Sequence, residues 1–297
     1  MTQSGHHRFI MKKDRAKEMN KPLIAITILI LIGCGESSNQ PSSTHTDEEA
    51  VASPAIVGEE IAYEVDGISM NGYLAYDRNQ TDERPGVLIV HEWWGHNDYV
   101  RRRADMLAEL GYTAFALDMY GDRKQANHPA DAQSFMMEVL NNMSAGESRF
   151  RAARQLLEEH ATTDVSRTAA VGYCFGGGIV LHMARLGTDL KGVASFHGTL
   201  ATATPAEAGS ISAKLLVAHG ADDPFVPAAE LEAFKQEMAD AGADMIFIAY
   251  PGAVHAFTNP AATAMGEKYS LPLAYNETAD TESWAELKSF LQDVFTE

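Results

Sequence analysis

The apolar positions of this chain fall into three regimes. Residues 59 to 76, EEIAYEVDGISMNGYLAY, alternate apolar and polar side chains on either side of Asp66-Gly67. A period of two around an Asp-Gly pair predicts a two-stranded hairpin with one buried face. From Gly86 onward the alternation gives way to continuous apolar runs: GVLIV (86–90), TAFAL (113–117), TAAVGY (168–173), GVASF (192–196), KLLVAHG (214–220) and DMIFIAY (244–250). Strands that are apolar on both faces belong in a parallel sheet covered by helices on each side. The stretches between them predict helices at Tyr99–Leu110, Ala130–Asn141, Gly146–His160, Gly177–Leu186, Ala228–Ala241 and Glu282–Phe295. The expectation for residues 56–297 is one α/β domain, a doubly wound, mostly parallel sheet with an N-terminal β-hairpin.

The third regime is the first 55 residues. Lys12, Lys13, Arg15, Lys17 and Lys21 precede an apolar stretch from Leu23 to Ile32. Ten residues are too few to cross a bilayer, which takes about 20, but they fit the apolar region of an export signal. The basic region is long, so the start can be Met1, Met11 or Met19. Leu31-Ile32-Gly33-Cys34 resembles the bacterial lipobox, which implies a signal peptide over 1–33 and lipid on Cys34. Gly35, rather than an aspartate, then implies an outer-membrane anchor with the protein facing the periplasm. From Cys34 to Ala55 the sequence is rich in Ser, Thr, Asp, Glu and Pro, the composition of a flexible tether.

Charge and cysteine count narrow the function. The whole chain carries a net −18; six of its 23 basic and two of its 41 acidic residues lie in 1–33, so removing them leaves −22. Such a surface repels nucleic acid and anionic membrane, leaving the lipid as the membrane contact. The chain has 2 cysteines. With Cys34 as the lipid site, Cys174 is an unpaired thiol in an exported protein, where thiols are usually paired or absent.

Cys174 sits in VGYCFGGG, at the end of one apolar run and the start of a helical one. In open α/β sheets, ligands bind at the carboxyl ends of the strands. Gly172-x-Cys174-x-Gly176 is the strand–turn–helix pattern of a nucleophile elbow with Cys in place of Ser. Two further candidates follow strand ends in chain order: Asp222-Asp223 after KLLVAHG, and His255 after DMIFIAY. Nucleophile, acid, histidine is the order of the α/β-hydrolase fold. Its bland counterpart is a small buried residue in a glycine-rich turn and a histidine that only packs. His91-Glu92 with His96 imitates a zinc motif, but at i and i+5 the two imidazoles share no helix face, so no metal is expected.

Together HEWWG, GYCFGG, DDPFVP and GAVHAF, in this order over Glu59–Phe295, resemble the dienelactone hydrolase family of cysteine-dependent α/β-hydrolases. The resemblance implies Cys174 as nucleophile, His255 as general base, Asp223 as its orienting acid, and the backbone N–H groups of Trp93 and Phe175 as oxyanion hole. Asp222 is then left to solvent or to capping its turn. It implies that Glu92 lies against the resting thiol and moves when substrate binds. It also implies a small ester or lactone as substrate and no metal or organic cofactor. Of the two arginines that grip an anionic lactone in the family, Arg123 is displaced by one residue, and Asn259 stands in place of the other. Trp94, Tyr99, Tyr120 and Phe257 are candidates for the pocket wall, and Phe135, Met136, Met137 and Leu140 either line an acyl pocket or fill the core. Two alternatives stay open: a general carboxylesterase or thioesterase, and a binding lipoprotein of this fold without chemistry.

Overall fold

The computed structural model describes residues 7–11 and 53–296. Its sheet has nine strands: β1 (His7–Met11), β2 (Ile56–Val65), β3 (Ile68–Asp77), β4 (Arg84–Val90), β5 (Thr113–Leu117), β6 (Thr163–Tyr173), β7 (Gly192–Phe196), β8 (Lys214–Gly220) and β9 (Met245–Tyr250). They lie in the order β1-β9-β8-β7-β6-β4-β5-β3-β2. The hairpin β2–β3 is antiparallel, and its turn residues Asp66 and Gly67 both have positive φ, 51° and 78°. Those values match a two-residue turn whose twist suits the strands. β3 meets β5 antiparallel, and every other pairing is parallel.

Helices α1 (Asp98–Glu109), α2 (Pro129–Leu140), α3 (Met143–Glu159), α4 (Phe175–Arg185), α5 (Ala228–Ala241), α6 (Ala262–Tyr269) and α7 (Glu277–Thr296) complete the chain. Two large apolar clusters result. One gathers Leu88, Val90, Phe115, Leu117, Phe150, Val180 and Phe247, the other Val87, Ile89, Val171, Ile248, Leu287 and Leu291. Val87 and Leu88, neighbours in β4, fall into different clusters because successive side chains leave opposite faces of a strand. That is why these runs are apolar throughout.

The structure departs from the sequence expectation at element ends and at two unpredicted elements. α4 begins two residues earlier than expected, immediately behind Cys174. α3 begins earlier too, because the Asn142 side chain accepts the Ala145 N–H at 3.4 Å and caps it. Helix α6 went unread, its eight residues giving only two turns. Five residues within the expected 1–33 leader, His7–Met11, pair in parallel with β9 along its outer edge. The stretch Leu23–Ile32, Cys34 and the tether through residue 52 lie outside the described residues. No helix among the described residues is long and apolar enough to cross a membrane.

Candidate active site

The elbow is built by sterics. Cys174 has φ 54° and ψ −117°, a sparsely populated conformation for a residue with a side chain. Such a sharp turn brings the backbone on both sides of it together. A Cβ at Gly172 would lie 2.1 Å from Gly176 O, and one at Gly176 would lie 2.3 Å from Val90 O. Glycine is therefore forced at both positions. Gly176 N–H then donates to His91 O at 3.1 Å, tying the start of α4 to the end of β4.

Behind Cys174 the helix opens without a side-chain cap. The Phe175 N–H, in the first turn, has no intrahelical acceptor, and among the described residues neither it nor the Trp93 N–H has any hydrogen-bond partner. Two donors are thus left free among the described residues, one directly after Cys174 at the end of β6 and one in the loop after the neighbouring strand β4. Tyr120, buried, donates its hydroxyl to Trp93 O at 3.0 Å, which holds the following peptide, between Trp93 and Trp94.

Three strand ends converge here. Asp223 follows β8 and His255 follows β9, while Cys174 follows β6. His255 Nδ1 donates to Asp223 Oδ2 at 2.8 Å, and His255 Nε2 lies 3.1 Å from Cys174 Sγ. The second Asp223 oxygen accepts the Phe225 N–H at 2.9 Å. His255 and Asp223 are buried, whereas Cys174 keeps partial access to solvent. Burial pulls the His255 pKa down, but the negative charge of Cys174 and the bond to Asp223 outweigh it and raise it to about 10. Asp222 instead faces outward and accepts the Gly252 N–H at 3.1 Å, capping its turn. An imidazole so poised can take a proton from sulfur and return it to a leaving oxygen.

Glu92 is a second buried carboxylate. Its Oε2 accepts the amide of Asn259 at 2.6 Å, and its Oε1 has no partner among the described residues. Burial raises its pKa to about 7, with the Asn259 bond and the charge of His255 pulling the other way. The neighbouring histidines are committed to backbone. His91 Nε2 accepts the Met119 N–H at 3.2 Å, so its Nδ1 donates to Glu92 O at 2.6 Å. Burial lowers the His91 pKa to about 4. His96 Nε2 donates to Ala116 O at 3.0 Å.

Several expected wall residues do other work. Phe257 is wholly buried between Tyr250 and His197, so its side chain lines no open pocket. Trp94 is buried in a small cluster with Ala126, Ala132 and Leu273. Tyr99 bonds Thr258 Oγ1 at 2.6 Å. The Arg123 guanidinium pairs with Glu60 on the hairpin, and Asp122 and Arg123 are successive residues with positive φ, 53° and 57°. Met136 and Leu140 do border a groove of about 250 Å³, with Phe175, Gly178, Ile179 and His182 of α4 on its other side. Sequence reading missed His197 and Thr258, which carry no motif, and Phe225, whose half-exposed ring stands edge-on to His255 at 5.0 Å between centroids.

The profile of the dienelactone hydrolase family matches residues 70–295. The chain is similar to the solved structure m3DLH, with 35% identity and a TM-score of 0.77 over 81% of this chain and 99% of that one. A dienelactone hydrolase-like promiscuous phosphotriesterase from metagenomic libraries shares 32% identity, TM-score 0.75, over 81% and 99%. A Saccharolobus solfataricus protein, provisionally named a carboxymethylenebutenolidase, is 26% identical over 271 residues, covering 79% of this chain and 98% of that protein.

Proposed function

This chain belongs to the dienelactone hydrolase family, and from that premise we propose that it cleaves carboxylic ester or lactone bonds through an acyl-enzyme on Cys174. The observation that carries the reading is the unbroken line Cys174 Sγ, His255, Asp223 at 3.1 and 2.8 Å. His255 Nε2 takes the thiol proton, and the thiolate attacks the carbonyl carbon, forming a C–S bond. The oxyanion sits between the Trp93 and Phe175 amides, donors that need no reorganisation as charge develops. Collapse breaks the C–O bond, and the leaving oxygen takes the proton from His255; in a lactone that oxygen stays tethered to the acyl group. Water, deprotonated by His255, then attacks the thioester carbon, the acid leaves, and the thiol regains its proton. The family resemblance assigns Glu92 the restraint of the resting thiol, since an ionised carboxylate close to a thiol opposes a second negative charge.

The substrate class follows from charge and shape. Arg123 is engaged with Glu60 and Asn259 is uncharged, so no cation is offered to a substrate carboxylate at either position. A net charge of −18 also disfavours anions. The groove beside Phe175 is lined mainly by apolar side chains and, at about 250 Å³, falls below the roughly 300–1,000 Å³ of complete small-ligand sites. It suits one apolar arm of an uncharged ester. From Leu31–Cys34 we place the mature protein on a lipid anchor at the outer membrane, facing the periplasm.

A panel of p-nitrophenyl esters, lactones and thioesters assayed with wild type and Cys174→Ala tests the reading. Wild type turns over the uncharged esters, and the variant loses on the order of 10³-fold or more. Undiminished turnover in Cys174→Ala overturns the assignment, and no turnover by wild type favours the binding lipoprotein.

A further inference from the structure

A second buried imidazole meets the elbow from β7. His197 is wholly buried and has φ 40°, itself a left-handed backbone for a residue with a β-carbon. The Cys174 N–H is shared between Phe196 O at 3.0 Å and His197 Nδ1 at 3.1 Å. Because Nδ1 accepts, the ring proton lies on Nε2, which faces Thr258 Oγ1 at 2.7 Å. Thr258 stands three residues beyond His255. Its hydroxyl meets Tyr99 OH at 2.6 Å, and its carbonyl accepts Arg103 Nη2 at 2.7 Å. Arg103 in turn bonds Asp280 of α7 at 2.6 Å.

We propose that His197 is a positioning residue, tying the amide of the nucleophile to the loop that carries the general base, so that Cys174 and His255 share one buried anchor. The inference rests on the reading of Cys174 as nucleophile. Two facts set the ring apart from simple packing. The Cys174 amide already has an acceptor in Phe196 O, so satisfying it does not require the imidazole. An apolar ring would also fill the space without the cost of burying two polar nitrogens. His197 has to stay neutral for Nδ1 to accept. Burial, together with the charges of His255, Arg103 and His219, pushes its pKa well below the ordinary value. The ring stands edge-on to His255, 5.4 Å between centroids.

The test uses the full chain with His197→Phe, His197→Asn and Thr258→Val. Ester hydrolysis is measured beside the pH dependence of iodoacetamide alkylation, read by mass spectrometry on the Cys174 peptide. His197→Phe is expected to lower kcat by about 10–100-fold, the scale of a misplacement near 1 Å. KM changes by less than about threefold, and the alkylation midpoint moves by about half a pH unit or more. His197→Asn, which keeps an acceptor for the Cys174 amide, recovers most of the kcat. Thr258→Val, which keeps the ring but cuts its tie to the His255 loop, shows the same changes at smaller size. A folded His197→Phe with the kcat and alkylation profile of wild type overturns the proposal. If that variant does not fold, Thr258→Val decides: a wild-type profile overturns it. Should wild type hydrolyse no ester, the hydrolase reading fails while the alkylation profile still decides the role of His197.

Discussion

Asp223 and Glu92 are both buried carboxylates in loops that follow core strands, yet their surroundings treat charge in opposite ways. Asp223 spends both oxygens, one on the His255 imidazole at 2.8 Å and one on the Phe225 N–H at 2.9 Å. Among the described residues Glu92 has a single neutral donor, the Asn259 amide, and an oxygen without a partner. Burial is common to both, so it cannot decide whether a carboxylate is useful as an anion. The donors decide. Asp223 is built to hold charge against an imidazolium, whereas Glu92, raised to about 7, is poised between its two forms near neutrality.

The same isosteric change, carboxylate to amide, should therefore give opposite results at the two positions. Asp223→Asn leaves His255 without its anionic partner and free to take the wrong tautomer. By analogy with serine triads, kcat for ester hydrolysis should fall on the order of 10³–10⁴-fold. A fall of less than about tenfold would reduce Asp223 to a loop cap.

Glu92→Gln is the smaller and subtler change. The folded-state pKa of about 7 lies above the ordinary 4.5, so between those values the folded protein holds more proton than the unfolded chain. Wild-type stability therefore declines as pH rises through that window, and the full cost is present above about 7. Glutamine carries no such titration. In urea melts, Glu92→Gln should gain little at pH 4.5 and on the order of 2–3 kcal/mol at pH 8. An equal effect at both pH values would mean that Glu92 does not titrate in this range.

The features legible in sequence were those with a periodic or steric cause. The hairpin could be read because Asp66-Gly67 sits between alternating strands, and the core strands because both of their faces are buried. The elbow could be read because Gly172 and Gly176 are the residues its geometry permits. The convergence of Cys174, Asp223 and His255 followed from their order and their places at strand ends. Partnerships made across the sheet left no such trace. Nothing in FHG marks His197 as the acceptor of the Cys174 amide, since that contact spans 23 residues and depends on β6 and β7 being adjacent. Arg123 looked available to substrate because a sequence pattern does not reveal that Glu60 lies opposite it. Nor does the sequence reveal that Phe257 is wholly buried, packed against Tyr250 and His197.

The central claim is that sulfur of residue 174 becomes covalently acylated. Rapid mixing with an uncharged p-nitrophenyl ester, acid quench and peptide mass spectrometry measures this directly. The account predicts a burst of p-nitrophenol and an acyl mass increment confined to the Cys174 peptide, absent in Cys174→Ala. Steady hydrolysis with no acyl increment on Cys174 at any quench time, or an increment on another residue, would contradict it.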